Sequence, residues 1–318
     1  MHLFFLYNKN RGGFMNMELY VCTYGDNGFE KGIAKINYNA DLNVIEKKML
    51  VEINGKANMV VVCETCIYVS EQREDGNFLV TYDKEGNKIE QLACEYFYSW
   101  GHLNNDKLYL ASFSSGVDSI YDVNSKSIIT SYIHEDTSLK TGRSHYIHCL
   151  DKQVIAVENA LQKVYFYKKD SLDIDYVLDF EEINVRLLSI HPSGKYAYMN
   201  TELTNEVFVL DIEDRKVVSS IKMSDSTGFS GGNALNKEGN ILAVSVREED
   251  QIYLFDVNNE KLMLKHVFAC GAIPRDLKII DNYLFVTCTK DNCVEIYDLN
   301  TYKKINAITL SQPITFDM

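Results

Sequence analysis

Short runs of apolar residues separated by polar turns extend along most of the chain. Within the runs, apolar and polar side chains alternate with a period of two, as in IYVSEQ at 67–72 and IYLFDV at 252–257. This alternation is typical of a β-strand with one buried face, and the runs are too short for helices. The pattern therefore predicts an all-β chain built from half-buried strands.

A larger unit of strand, short turn, strand, polar loop and third strand recurs along the sequence. The third strand ends near an aromatic residue or an aspartate, at Tyr38, Asp83, Asp122, Tyr167, Asp211, Asp256 and Asp298. Successive ends lie between 39 and 45 residues apart. Seven units at this even spacing are typical of a seven-bladed β-propeller, and we expect each blade to be a four-stranded antiparallel sheet.

The two ends of the chain complete the repeat pattern. An apolar strand that begins at Met17 precedes the first unit, and two further strands, at 303–310 and 313–318, follow the last unit. One blade can therefore combine strands from both termini, which closes the ring and removes free sheet edges. We predict a single propeller domain over 17–318, preceded by an extension at 1–16.

Composition supports a large core and limits the partners. The chain is 46% hydrophobic and 12% aromatic, and its formal net charge is −13. The electrostatic field of this negative charge repels nucleic acids and anionic membranes, so neither is an expected partner. An anionic substrate would need its own local group of arginines or lysines.

The eight cysteines raise the question of a metal site. Cys63 and Cys66 form a C-x-x-C motif at a predicted hairpin turn, but a zinc site would need a second pair at comparable spacing. Cys288 and Cys293 do not supply that pair. We therefore expect reduced thiols and no bound metal.

The sequence also bears on location. No apolar run approaches the roughly 18 residues of a membrane span, and the first ten residues lack the basic region and cleavage site of a secretory signal. We expect a cytoplasmic protein that does not bind membranes.

Polar residues at recurring positions of the repeat are the candidates for chemistry. Arg186 begins an innermost strand, Glu202 ends the strand that follows it, and Arg247 occupies the equivalent end in the next unit. His145 and His148 lie on the innermost strand of the preceding unit. Two arginines can hold a carboxylate or phosphate, and histidine and glutamate can exchange protons near neutral pH.

Three segments of the chain resemble the lactonase propeller family, which includes bacterial 6-phosphogluconolactonases and fungal carboxy-muconate cyclases. VRLLSIHPSGKYAYMNTELTNEVFVLDI at 185–212 is similar to its Pro-Arg-His, turn and Asn-Glu-Leu pattern. NKEGNILAVSVREEDQIYLFDV at 236–257 resembles its Ser-Asn-Arg strand end, and GAIPRDLKIIDNYLFVTCTKDNCVEIYDL at 271–299 resembles its Thr-Pro-Arg repeat. The opening LYVCTYGDNGFEKGIAKINY at 19–38 is also similar to the family's Gly-Thr-Tyr start, so the resemblance covers nearly the whole chain from Met17.

The resemblance implies a site in which a histidine and Glu202 do acid–base work. His148 is the preferred histidine because it follows Ile147 in an Ile-His pattern, and His145 remains the alternative. Arg186, Arg247 and Arg275 match the positions that bind substrate.

The implied reaction is hydrolysis of a small anionic lactone, with 6-phosphogluconolactone the expected substrate, by a monomer or weak homodimer without a cofactor. Two alternatives remain open. One is a cyclase-like isomerase or lyase that acts on a dicarboxylate, and the other is a propeller scaffold that binds a partner without turnover.

Overall fold

The computed structural model describes residues 16–25, 30–41, 43–135, 142–226 and 228–318, and the regular elements in these ranges are β-strands. The segment 1–15 of the predicted extension lies outside the described residues, and Asn16 begins the first strand. No helix in the described ranges has the length and apolar character needed to cross a membrane.

The strands form seven four-stranded antiparallel sheets, which are numbered as blades along the chain. Blade 1 contains β1 (Asn16–Thr23), β2 (Gly32–Asn39), β3 (Val44–Glu52) and β28 (Pro313–Asp317). Blade 2 contains β4 (Lys56–Val62), β5 (Cys66–Arg73), β6 (Gly76–Asp83) and β7 (Lys88–Cys94). Blade 3 contains β8 (Trp100–Asn104), β9 (Lys107–Ser112), β10 (Val117–Asp122) and β11 (Ser127–Ile133). Blade 4 contains β12 (Ser144–Cys149), β13 (Gln153–Glu158), β14 (Lys163–Lys168) and β15 (Ile174–Asp179).

The remaining three blades have the same order. Blade 5 contains β16 (Val185–Ile190), β17 (Tyr196–Thr201), β18 (Glu206–Asp211) and β19 (Lys216–Lys222). Blade 6 contains β20 (Ser230–Leu235), β21 (Ile241–Val246), β22 (Gln251–Asn258) and β23 (Lys261–Ala269). Blade 7 contains β24 (Pro274–Ile280), β25 (Tyr283–Cys288), β26 (Cys293–Asp298) and β27 (Lys303–Thr309). The predicted seven-bladed propeller is confirmed.

The innermost strands form a closed ring around the axis. In blades 2 to 7 the first strand of the blade is innermost, and in blade 1 the innermost strand is β28. Each innermost strand contacts the innermost strands of both neighbouring blades. The seven repeat ends that the sequence identified all fall on or directly at the end of third strands.

The ring is closed by the pairing of the first and last strands. β28 runs antiparallel to β1, with Tyr20 opposite Asp317 and Val21 opposite Phe316. On its other side Asp317 accepts a hydrogen bond from the Val62 backbone N–H at 2.9 Å. The predicted combination of both termini in one blade is therefore confirmed, and the C-terminal strand is held from two directions.

The apolar side chains are buried between the blades. Those buried in the described residues form seven clusters, each between two neighbouring blades. A middle strand such as β17 is buried at every residue, so the expectation of half-buried strands is wrong there. The reason is that both faces of a middle strand are covered by adjacent blades, whereas the outermost strands β7 and β11 do alternate with solvent.

Strand β28, which pairs with β1 to close the ring, allows ring closure to be tested. Phe316 is buried at 5% exposure in the cluster between blades 7 and 1. Phe316→Ala should lower the free energy of unfolding by about 3–4 kcal/mol, because a large cavity opens where the two ends of the chain meet. The measurement is the urea unfolding midpoint of the purified protein.

Ile89→Ala is the matched control, since Ile89 lies on the outer strand β7 and is 58% exposed. Its unfolding free energy should change by less than about 0.5 kcal/mol. Equal shifts for the two variants would show that β28 contributes no more to stability than an outer surface position.

Candidate active site

The innermost strands carry β-bulges close to their first residues. The residues of the innermost strands that lie within these bulges are Ile314 in blade 1, Asn58 in blade 2, His145 in blade 4, Arg186 in blade 5, Gly231 and Gly232 in blade 6, and Arg275 and Asp276 in blade 7. An extra residue bends the strand and turns its side chain out of the regular pleat. Because all innermost strands begin at the same end of the channel, the bulges place these residues around one opening.

A second set of residues surrounds the same opening, because each second strand runs antiparallel to the innermost one and ends beside its start. The residue directly after the second strand is Tyr24 in blade 1, Phe113 in blade 3, Asn159 in blade 4, Glu202 in blade 5, Arg247 in blade 6 and Thr289 in blade 7. The two sets together define the channel mouth. Sequence reasoning recognised Glu202 and Arg247 at this position but missed Asn159 and Phe113, which the same repeat position identifies.

Glu202 bridges the two predicted arginines. Its Oε1 accepts hydrogen bonds from Arg186 Nη1 and from Arg247 Nη2, the latter at 2.7 Å. Asn159 Nδ2 donates to its Oε2 at 3.3 Å. Arg186 Nε also donates to the backbone carbonyl of Gly231 at 3.0 Å. Residues from blades 4, 5 and 6 are therefore joined through one carboxylate.

The close approach of Gly231 to Arg186 depends on the absence of a side chain. A Cβ at Gly231 would lie 2.4 Å from the carbonyl oxygen of Pro274, and one at Gly232 would lie 2.7 Å from the side chain of Leu277. Both distances are too short for real contacts, so only glycine fits. The backbone of blade 6 thereby reaches the guanidinium of blade 5.

The mouth concentrates positive charge. Burial and the nearby guanidinium groups of Arg247 and Arg275 together lower the pKa of Arg186 to about 10 against the opposing effect of Glu202. Burial also lowers the pKa of Arg247, and Arg275 again contributes repulsion. The three guanidinium groups therefore lie within electrostatic range of one another, and the Glu202 carboxylate bridges two of them.

Arg275 reaches the mouth from blade 7. Its guanidinium carbon lies 6.0 Å from the ring centroid of Tyr24, within the range of a cation–π contact. The Tyr24 hydroxyl in turn donates a hydrogen bond to Asn58 Oδ1 at 2.9 Å. The third predicted arginine is thus held on the side of the mouth formed by blades 7, 1 and 2.

The two candidate histidines occupy different positions along β12. Burial lowers the pKa of His145 well below its usual value, and Arg186, Arg275 and Arg247 lower it further. His148 instead stacks on His102 with ring centroids 3.7 Å apart, and burial and His102 lower its pKa. Three strand residues span about 10 Å. The structure therefore brings His145, and not the preferred His148, to the arginines.

The His145 ring is only partly satisfied by its surroundings. Nδ1 is buried and has no hydrogen-bond partner among the described residues. The ring makes an edge contact with Phe113 at a centroid distance of 5.1 Å. Because its lowered pKa keeps the ring neutral at pH 7, His145 can accept a proton from a water or hydroxyl group in the mouth.

A buried polar group fixes the strand start that carries His145. The Ser144 hydroxyl donates to Asp118, which also accepts from the Tyr167 hydroxyl at 2.8 Å and lies 2.8 Å from His134 Nε2. Ser144 contacts the carboxylate and not the histidine, and Ser144, Asp118 and His134 are fully buried. The group therefore anchors β12 and lacks the serine–histidine contact that nucleophilic catalysis requires.

One group of possible metal ligands occurs among the described residues, outside the two sets that form the mouth. Ligand atoms of Cys288, Cys293 and Glu295 in blade 7 lie within 4.8 Å of one another. The C-x-x-C pair, Cys63 and Cys66, lies in blade 2, so the two cysteine pairs do not share a site. The side chains that the mouth itself supplies for chemistry are those of histidine, glutamate and arginine.

Comparisons with known proteins agree with this architecture. A family model described as a lactonase with a seven-bladed β-propeller matches residues 18–305. The chain is 25% identical over 326 aligned residues to the 6-phosphogluconolactonase of Bacillus subtilis strain 168, an alignment that covers 92% of this chain and 93% of that protein.

Two solved structures show the same fold. The periplasmic gluconolactonase PpgL of Pseudomonas aeruginosa superposes with a TM-score of 0.83 at 15% identity, covering 95% of this chain and 98% of that one. A protein from Lactobacillus plantarum superposes with a TM-score of 0.85 at 16% identity, covering 95% and 99%.

The carboxylate bridge predicts a stability effect. Glu202→Gln should lower the free energy of unfolding by about 3 kcal/mol, because it leaves two partly desolvated guanidinium groups without their shared counter-ion. Asp175→Asn is the control, since Asp175 pairs with Arg215 at the surface and should contribute less than about 1 kcal/mol. Urea denaturation at pH 7 measures both, and similar losses would contradict a buried bridge.

The lowered pKa of His145 predicts a pH dependence of stability. The unfolded chain binds a proton at this histidine near pH 6.5 while the folded chain does not, so stability falls as the pH drops below 6.5. His145→Asn should remove about 1.5 kcal/mol of the loss between pH 6.5 and 5.0. Urea unfolding at both pH values measures it.

His266→Asn, on the outer strand β23, is the control for losing an imidazole. An unchanged acid dependence in His145→Asn, or an equal change in His266→Asn, would contradict the environment described for His145.

Proposed function

The chain belongs to the lactonase family of seven-bladed β-propellers, and from this membership we propose that it hydrolyses 6-phosphogluconolactone to 6-phosphogluconate. The observation that carries the proposal is the convergence of Arg186, Arg247 and Arg275 on one mouth of a protein whose net charge is −13. A local excess of guanidinium groups suits a phosphate, which accepts bidentate hydrogen bonds from arginine. The name of the Bacillus subtilis relative supports the same substrate.

In the proposed mechanism His145 is the general base. Its neutral imidazole takes a proton from a water molecule while the water oxygen forms a bond to the lactone carbonyl carbon. The negative charge that develops on the carbonyl oxygen is stabilised by arginine N–H groups. As the ring C–O bond breaks, the imidazolium returns its proton to the departing ring oxygen, which leaves an open-chain hydroxy acid.

Glu202 has a positioning role in this scheme. Both of its oxygens accept hydrogen bonds, from Arg186 and Arg247 at one and from Asn159 at the other. The bridge fixes the spacing of the two guanidinium groups before substrate arrives, which avoids reorganisation during the reaction. The proposal thus assigns proton transfer to His145 and arginine orientation to Glu202.

The convergence of the polar residues favours an enzyme over a binding scaffold. A scaffold has no need for arginines, a glutamate and a neutral histidine at one channel end, where they are held by bulges and by glycine packing. A cyclase-like reaction on a dicarboxylate would use the same arginines. Hydrolysis and ring chemistry differ in whether oxygen from water enters the product.

Arginine substitutions test the proposal directly. Arg186→Ala, Arg247→Ala and Arg275→Ala should each lower kcat/KM for 6-phosphogluconolactone by about 10- to 100-fold, because each removes charge-assisted hydrogen bonds of about 1.5–3 kcal/mol. Arg186→Lys should recover only part of the loss, since an ammonium keeps the charge without the planar fork. Initial rates are measured in the presence of EDTA, with circular dichroism to check folding.

Arg215→Ala is the matched control, because Arg215 is a surface arginine paired with Asp175, and its kcat/KM should equal that of the parent. Parent-like rates in all three mouth variants would place the site elsewhere. Loss of the parent's activity with EDTA would contradict a metal-free reaction. Products formed in ¹⁸O-labelled water without label would favour the cyclase-like reaction.

A further inference from the structure

The cysteines of the C-x-x-C motif close a tight β-hairpin in blade 2. Val62 at the end of β4 lies opposite Ile67 in β5, and the Cys63 backbone N–H donates to the carbonyl of Cys66 at 2.9 Å. Only Glu64 and Thr65 lie between them in the turn. The two cysteines are therefore cross-strand neighbours, and their sulfur atoms lie 2.6 Å apart.

The environments of the two sulfur atoms differ. Cys63 Sγ accepts a hydrogen bond from the Cys66 backbone N–H at 3.1 Å. The hydrogen bond from the Cys66 thiol, together with backbone N–H groups of the turn, lowers the pKa of Cys63 against the opposing effect of burial. The same hydrogen bond, with burial, raises the pKa of Cys66. Cys63 is therefore the more acidic of the two thiols.

The more acidic sulfur is also the more accessible one. Cys63 is half-buried, whereas Cys66 is 8% exposed and packs in the cluster between blades 2 and 3. The ammonium group of Lys84 lies within electrostatic range of both sulfurs. A partly accessible, acidic thiol near a cation, with a second thiol directly beside it, is the arrangement of a reactive dithiol.

This pair is separate from the channel mouth. The innermost strand β4 begins at the mouth, where Asn58 is bulged, and the hairpin follows its other end at Val62. Changes at the two sulfurs should therefore leave the mouth residues in place. The inference that follows does not depend on the proposed lactonase activity.

We propose that Cys63 and Cys66 form a redox-active dithiol that reduces small-molecule disulfides. The Cys63 thiolate attacks one sulfur of the external disulfide, forms a mixed disulfide and releases one thiolate, which takes up the proton of Cys66. The Cys66 thiolate then attacks the Cys63 sulfur, forms the internal disulfide and releases the second thiolate. Overall, the thiolate and thiol of the protein pair are oxidised to a disulfide, and the external disulfide is reduced to one thiol and one thiolate.

The chain contains a second cross-strand cysteine pair for comparison. Cys288 and Cys293 lie directly opposite each other at the hairpin of β25 and β26. Their pKa values are both raised, that of Cys288 first by its hydrogen bond with Cys270 and that of Cys293 first by its hydrogen bond with Cys288. Glu295 Oε2 lies 3.5 Å from Cys288 Sγ and adds negative charge. Neither thiol of this pair has a lowered pKa, so the pair serves as the matched control.

The experiment uses the full chain in EDTA and oxidised glutathione. After an acid quench, remaining thiols are alkylated and counted by intact mass, and peptide mapping locates the bonds. The parent, with eight cysteines, should lose two thiols to a Cys63–Cys66 disulfide. Cys66→Ser should accumulate glutathione on Cys63, because no resolving thiol is present, and Cys63→Ser should not accumulate it on Cys66.

The double variant Cys288→Ser/Cys293→Ser should oxidise like the parent. At pH 6 iodoacetamide should alkylate Cys63 of the reduced parent at least about tenfold faster than Cys288 in the same protein. The proposal is overturned by a disulfide that forms first at Cys288–Cys293, by equal adduct formation in the two single variants, or by no loss of thiols. Lactone hydrolysis of Cys63→Ser, measured in parallel, should match the parent and so separates this result from the fate of the proposed lactonase activity.

Discussion

The pairing of β28 with β1 is the constraint on which the rest of the structure depends. Each blade is apolar on both faces, so its middle strands are stable only when neighbours cover both sides, and the end blades obtain that cover only in a closed ring. Closure also fixes the distance between innermost strands, because each must contact two others. The mouth is a consequence of this geometry, since residues from blades 4, 5 and 6 can share the Glu202 carboxylate only in a ring of fixed size.

Bulges convert a regular ring into a site. In a regular pleat, alternate residues of an innermost strand face the axis, and the side chains at the strand start would follow that alternation. The extra residue at His145 and Arg186 breaks it, and the same device recurs in six blades within the described residues. Glycines at the equivalent place in blade 6 supply backbone carbonyl in place of a side chain. The repeat thus provides equivalent positions, and the residue type at each position sets the chemistry.

The sequence predicted the number of blades and the blade that combines strands from both ends of the chain. Both depend on local periodicity and on spacings such as that from Tyr38 to Asp83. The sequence also identified Arg186, Glu202 and Arg247 as a group, because Arg186 lies at the start of an innermost strand and the other two lie at equivalent strand ends of successive units. It favoured His148 over His145 because of the Ile-His pattern at 147–148, and neither that pattern nor the alternation of side chains reveals the bulge at His145. The burial of both faces of β17 was missed for a related reason: local alternation does not show what packs on the outer face. Asn159 became recognisable only when the strand ends were known, although its repeat position equals that of Glu202.

The pairing of β28 with β1 also has a consequence for the order of events during synthesis. The inner edge of β1 receives its partner only when 313–317 has been made, about 290 residues after Thr23. At about 5–20 residues per second, the ribosome needs roughly 15–60 s to cover that interval. Throughout this time the nascent chain carries an unpaired strand edge with the apolar residues Val21 and Cys22, which can template pairing with other chains. Synthesis of β28 therefore ends this exposure, so the time during which the edge of β1 is unpaired is set by the rate of translation between the two strands.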